Sequence, residues 1–296
     1  MSRTVELSGD RQASYEVVGE GRPTLMFPGG PGFGAAYMRG DAELFSDTLQ
    51  SYLIDPHGSG RSTPPSDPSD YSPAGHARFY DEVRRALGLD EVLLVGHSFG
   101  ATTALAYSGL YPQAVTGCVA VAAFAFGPDT GTAEGDAAGA EAQRVLDRHE
   151  GAQWYPQARA TMDDWTERVL ATDDPHEVER MMATVLPLYT AHPDRPEVAA
   201  ALAAMNQHLT ADLAAAKAWE GGLYQMIDLR PLLTRITCPT LVVAGELDFL
   251  CGPAQALPIT DAITDASLEV IPDCGHMPSA EAPLAYRQAV LGFLSP

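Results

Sequence analysis

Basic residues are scarce in this chain. Lys and Arg number 18 against 39 Asp and Glu, and Lys217 is the only lysine. The formal net charge of −21 makes a surface that repels phosphate backbones and anionic lipid headgroups. Nucleic acid and membrane are therefore not expected as partners. Long apolar runs are missing too. The longest clean one, Cys118 to Phe126, is far too short to span a bilayer, and Met1 to Val18 is polar and charged, with no signal-type apolar core. The expected location is the cytoplasm. The four cysteines, Cys118, Cys238, Cys251 and Cys274, have no C-x-x-C spacing, which argues against a zinc or redox motif. Cys251 and Cys274 lie in loops expected to meet, but a cytoplasmic setting favours free thiols. There is no metal-ligand cluster and no phosphate-binding glycine fingerprint with its distal acid, so no metal and no cofactor are expected. The expected partner is a small-molecule or short-peptide substrate.

What is present is a core large enough to need no covalent staples. The chain has 296 residues, of which 46% are hydrophobic. Thr4–Leu7 and Ser14–Val18 read as a first pair of strands. Further short apolar runs follow at Thr24–Phe27, Tyr52–Asp55, Glu91–Val95 and Gly117–Phe126, with helical periodicity at Pro73–Leu87 and Ala101–Tyr111. This alternation predicts an α/β fold, a mostly parallel sheet with helices on both faces. Pro128 to Ala140 reads as a flexible Gly/Ala/Asp/Thr linker, and Glu141 to Trp219 as helical throughout. Strand candidates return at Leu229–Ile236, Thr240–Ala244 and Ser267–Ile271, before a last helix at Pro283–Phe293. The predicted organisation is a core of residues 1–126 and 229–296 carrying a helical cap, 127–228.

One constellation carries chemistry. Gly96-His97-Ser98-Phe99-Gly100 matches G-x-S-x-G, a weak signal alone in a chain with 27 glycines. Its position is what gives it weight, because it follows a buried strand and opens a helix. A sharp strand-to-helix turn lifts a serine Oγ above the sheet edge, and the flanking glycines relieve its crowding. Serine needs a base to take its proton. His276 sits in the loop after the last strand run, whereas His57, His76 and His97 are placed less well and the remaining histidines fall in the insertion. The acid that orients the base is expected after the strand Thr240–Ala244; Asp248 is chosen, with Glu246 the alternative. The order Ser98, Asp248, His276 is that of α/β-hydrolases and not of other serine-hydrolase folds. The oxyanion of an acyl-transfer intermediate needs backbone donors, expected from Phe99 and from Gly30 in the loop Pro28–Gly34.

Pro28-Gly-Gly-Pro-Gly32 resembles the H-G-G-P-G loop of the proline iminopeptidase family, within the α/β-hydrolase superfamily, and Asp55-Pro-His-Gly-Ser-Gly-Arg-Ser62 resembles its D-x-R-G-x-G-x-S segment. Gly96–Gly100, Gly245–Asp248 and Gly275-His276 complete the set in order. The resemblance implies an α/β-hydrolase fold with a helical cap and a serine hydrolase that passes through an acyl-enzyme. It also implies a cis Gly30–Pro31 bond. Pro28 stands where the family usually has His, and His57 where it has Arg. Such enzymes hold the substrate's amine with carboxylates from the cap or beside the catalytic acid. Phe249 occupies that second place, and Glu220, after Trp219, is the candidate cap carboxylate. At least one of Trp154, Trp165 and Trp219 is expected to line the pocket. An esterase or lactonase acting on a small metabolite is the alternative function. An acyltransferase or a non-catalytic ligand receptor stands further off.

Overall fold

Short runs of apolar residues pair into one eight-stranded sheet in a computed structural model that describes residues 2–127 and 133–295. The strands are β1 (Arg3–Glu6), β2 (Gln12–Val18), β3 (Arg22–Phe27), β4 (Leu49–Ile54), β5 (Val92–His97), β6 (Val115–Val121), β7 (Thr240–Gly245) and β8 (Ala266–Ile271). Their order across the sheet is β1-β2-β4-β3-β5-β6-β7-β8. The pairs β1–β2 and β2–β4 are antiparallel, and the rest are parallel. Every residue of β5 and β7 is buried, as expected of central parallel strands covered on both faces. The edge strand β8 alternates exposed and half-buried residues instead.

The core helices are α1 (Arg39–Leu44), α2 (Pro73–Ala86) and α3 (Phe99–Leu110) before the insertion, and α10 (Arg230–Leu233), α11 (Pro253–Ala262), α12 (Pro278–Glu281) and α13 (Pro283–Leu294) after it. Helix α2 starts where Ser72 accepts the Gly75 N–H and Pro73 fills a position that needs no donor. Phe79, Tyr80 and Val83 of α2, with Leu105 of α3 and Ile259 of α11, pack against one face of the sheet. Phe45 and, from α13, Tyr286 and Val290 pack against the other.

Between β6 and β7 come α4 (Ala133–Asp147), α5 (Tyr155–Asp163), α6 (Trp165–Ala171), α7 (Pro175–Val185), α8 (Pro196–Asn206) and α9 (Leu213–Ala218). Two expectations need correction here. Of the expected linker, residues 128–132 lie outside the described residues, while the chain from Ala133 onward is already in α4. Alanine favours the helix strongly enough to carry Gly135 and Gly139 within it. The expected strand at Leu229–Ile236 is instead the short helix α10, in which Pro231 takes an early position that needs no N–H donor. Helices α1 and α11 had no counterpart in the sequence reading.

The topology sets the place for a site. The chain leaves β3 to form β4 on one side, then returns to lay β5 on the other. The loops at the carboxyl ends of β3 and β5 therefore diverge, which opens a crevice at the switch point.

Candidate active site

At the end of β5 the chain turns into α3 through Ser98, which has φ 56° and ψ −125°. A non-glycine residue held in so sparsely populated a region costs about 1–3 kcal/mol. The surroundings over-determine it. Ser98 N–H donates to the Val121 carbonyl at 2.8 Å. The turn also needs bare backbone beside it: a Cβ on Gly96 would lie 2.4 Å from the Gly100 oxygen, and one on Gly100 would lie 2.0 Å from the Phe27 oxygen.

His276 follows β8 and is buried, with Nδ1 2.7 Å from Asp248 Oδ2. The other Asp248 oxygen accepts the N–H groups of Leu250 at 2.9 Å and Cys251 at 3.0 Å. Burial alone would raise this carboxyl. The histidine and the two amides outweigh burial and hold it below the usual carboxylate range. Glu246, the alternative acid, accepts the Asp273 N–H at 3.0 Å. It is thus Asp248 that meets the histidine. Ser98 and His276 line the same cavity, although no hydrogen bond joins their side chains among the described residues. Such contacts are commonly long without ligand and tighten when substrate binds.

The His276 loop is held from two directions. His276 N–H donates to the Tyr189 carbonyl at 2.7 Å, which ties it to the inserted helices. Glu281 accepts the N–H groups of Gly275 (3.0 Å), Met277 (3.1 Å) and Ala191 (2.6 Å). Burial pushes this carboxyl up, and the three amides oppose that shift.

His97 and Tyr37 complete the arrangement, and the sequence reading had set His97 aside. Tyr37 Oη accepts the Gly29 N–H and lies 3.0 Å from His97 Nδ1; His97 Nε2 lies 2.9 Å from the His276 carbonyl. One assignment of protons satisfies every group: Nε2–H donates to the carbonyl, and Nδ1 accepts from the tyrosine hydroxyl. That requires a neutral ring, and burial pushes the His97 pKa down to about 3. The pair bridges the loop that carries His276 and the loop that carries Gly29 and Gly30. The spacing of Tyr37 from either loop gave no sign of this in the sequence.

Gly30 has φ 125°, and the Gly30–Pro31 bond is cis. Phe99 is the first residue of α3, so its N–H has no acceptor within the helix. The Gly30 loop is fixed by pairing with the insertion: Gly34 N–H donates to the Thr210 carbonyl at 3.0 Å, and Asp212 N–H to the Gly32 carbonyl at 2.7 Å.

These loops open on a cavity. One end holds Gly29, Gly30, His97, Ser98 and His276, and Met182, Leu186, Tyr189, Met205 and Leu209 of the insertion wall it from above. The three residues expected to bind substrate are not in its wall. Glu220 accepts from Trp165 Nε1 at 3.0 Å and from the Thr166 hydroxyl at 2.6 Å, so its carboxylate is engaged inside the insertion. Trp219 packs edge-on against Phe99 at 5.3 Å and stacks on Tyr224 at 4.8 Å. Phe249 lies behind Tyr189, with ring centroids 5.3 Å apart. Trp154 and Trp165 belong to the insertion's own core. The expectation of a tryptophan in the cavity wall therefore fails, because these rings fill packing space between helices. The methionines and leucines that do form the wall look in sequence like any amphipathic helix face. Cys118, Cys238, Cys251 and Cys274 are buried free thiols. Among the described residues, no group of three or more His, Cys, Asp or Glu could hold a metal ion, and no helix is long and apolar enough to cross a membrane.

Comparison with known proteins agrees with this fold. A proline iminopeptidase of Lactobacillus delbrueckii subsp. lactis is 24% identical over 97% of this chain and 95% of its own. A 2-hydroxy-6-oxo-6-(2'-aminophenyl)hexa-2,4-dienoic acid hydrolase of Metapseudomonas resinovorans is 25% identical, over 97% of this chain and 89% of its own. The solved structure of an alpha/beta fold family hydrolase from Bacillus anthracis str. Sterne superposes with a TM-score of 0.76 at 18% identity, covering 99% of both chains. The model of the alpha/beta hydrolase fold family matches residues 23–283, and the chain belongs to that family.

Proposed function

We propose that this chain is a serine hydrolase that cleaves a small ester or amide through an acyl-enzyme on Ser98, with residues 127–228 as its cap. The observation that carries the reading is the strained Ser98 turn, in one cavity with a histidine whose Nδ1 lies 2.7 Å from a buried aspartate. In this reading Ser98 Oγ attacks the carbonyl carbon as its proton passes to His276 Nε2. Asp248 fixes the tautomer and stabilises the imidazolium. The oxyanion takes the N–H groups of Gly30 and Phe99, and α3 adds its positive end. His276 then protonates the leaving group. Water repeats the sequence on the acyl-enzyme, releasing the acid and restoring Ser98.

A relative named proline iminopeptidase supports a substrate with a free N-terminal amine. Against that stands the engagement of Glu220 with Trp165 and Thr166, which leaves no identified carboxylate for the ammonium. The central claim is tested with a fluorophosphonate probe and with Ser98→Ala. The wild-type protein should be labelled at Ser98. The variant should fold normally, resist labelling and lose at least about 10³-fold in kcat. Wild-type turnover by the purified variant would sink the reading.

A further inference from the structure

The cavity sorts its chemistry by position. All its polar reacting groups lie at one end, on the loops after β3, β5 and β8. The rest of the wall is contributed chiefly by Met182, Met205, Met277, Leu186, Leu209 and Leu250. Among the described residues, no charged side chain lines it. The nearby acids are engaged elsewhere: Asp248 with His276, Glu281 with three backbone amides, Glu220 with Trp165 and Thr166. Asp212 Oδ1 caps α9 by accepting the N–H groups of Ala214 and Ala215, and its Oδ2 is buried beside Tyr71, outside the cavity wall. The Tyr37 hydroxyl is held by Gly29 and His97.

We propose that this cavity is an acyl-chain pocket, and that the substrate is an ester or lactone whose acyl part is uncharged and apolar. The proposal rests on the serine-hydrolase reading above and adds the substrate class to it. An ammonium beside the scissile carbonyl would lose its water and find no carboxylate, which is prohibitive for an unpaired charge. A hydrocarbon chain gains from the same wall in proportion to the area it buries. Methionine, unbranched and with three rotatable bonds, adapts to chains of differing shape, so three of them favour tolerance of acyl structure over one fixed outline.

The test compares isosteres. Methyl cyclopentanecarboxylate and proline methyl ester differ by CH2 against a protonated ring nitrogen, next to the same carbonyl. At pH 7 the carbocycle should have a kcat/KM about 100-fold higher or more. Along 4-nitrophenyl acetate, butyrate and hexanoate, kcat/KM should rise about fourfold per added methylene. Met205→Trp, which narrows the wall, should reduce the hexanoate-to-acetate ratio about tenfold. Equal or better turnover of the proline ester overturns the proposal. A flat chain-length series, or a ratio unmoved by the tryptophan, overturns it as well. Fluorophosphonate labelling separates the two levels of the argument. If Ser98 is labelled but the acyl series is not hydrolysed, the pocket assignment falls and the serine-hydrolase reading stands. If Ser98 is not labelled, the reading beneath it falls.

Discussion

Tyr37 and His97 hold two loops in register through three hydrogen bonds that depend on one tautomer. Neither residue is placed to take a proton from Ser98. What they fix is the distance between the backbone that carries His276 and the backbone that carries Gly29 and Gly30. Under the proposed mechanism, a shift there degrades transition-state contacts more than substrate binding, because the proposed oxyanion donors meet their charge only as the reaction proceeds. Tyr37→Phe strands the Gly29 N–H and His97 Nδ1 in a buried site. The expected result in steady-state kinetics is a kcat about 10-fold lower, equivalent to roughly 1–2 kcal/mol, with KM changed less than about twofold. A loss confined to KM would show that the tyrosine serves only as pocket wall.

At the scale of elements, the turn from β5 to α3 is tightly constrained. Helix α3 is buried on nearly every side and is rich in Ala, Gly and Thr, which lets its first turn approach the end of β3. Gly100 is the limiting case, since any Cβ there would sit 2.0 Å from a backbone oxygen that has no flexible route away. Gly100→Ala should therefore displace α3 from β3 and destabilise the protein by about 1–3 kcal/mol. It should also weaken fluorophosphonate labelling, because the same displacement carries the Phe99 N–H with it. Urea unfolding and labelling rates check the two effects separately. The inserted helices are joined to both functional loops by backbone hydrogen bonds, through Thr210 and Asp212 on one side and Tyr189 on the other. They thus shape the site as well as cover it.

At the scale of the whole molecule, buried histidines set the response to acid. Burial pushes His57 down to about 4, His97 to about 3 and His76 well below its usual value. In the folded protein these rings stay neutral, while the unfolded chain takes up protons below about pH 6.5. Their contribution to stability is therefore complete above that pH and is lost as pH falls toward the folded values. Each removes up to about 1.4 kcal/mol per pH unit. Asp41, raised by burial to about 6, and Glu281, also raised by burial, act the other way below pH 6, because their folded forms bind protons first. The three histidines prevail between pH 6.5 and 5, so stability should fall across that window. His76 isolates the effect, since both its ring nitrogens are buried without a hydrogen-bond partner. It lies against the rings of His57 and Phe99. Urea unfolding of His76→Phe at pH 7, 6 and 5 should show a slope shallower by about 1 kcal/mol per pH unit. Parallel slopes for the two proteins would contradict the assignment.

The cis bond before Pro31 was implied by the family resemblance. The sequence by itself determined the strand set of the core apart from Leu229–Ile236, the turn at Ser98 and the loops that carry Asp248 and His276. These are local signals. A buried strand needs a run of apolar residues, a sharp turn needs glycine on either side, and loops after successive parallel strands must emerge at one sheet edge. Leu229–Ile236 misled because a short segment of mixed apolar and polar residues suits strand and helix alike, and only packing against α3 and α11 decides between them. The cavity wall was illegible for a related reason. Met182, Leu186 and Met205 pack in the same apolar clusters as Val185 and Leu202, and only the tertiary arrangement also turns them to the cavity. Glu220 shows the same limit from the polar side. Its position beside Trp219 suggested a hand for an ammonium, and the tertiary structure turned it to Trp165 and Thr166 on another helix. Residue type and spacing fix which groups can react. Which side chains surround the substrate depends on how whole helices rotate and cross, and that is settled by contacts between residues far apart in the chain.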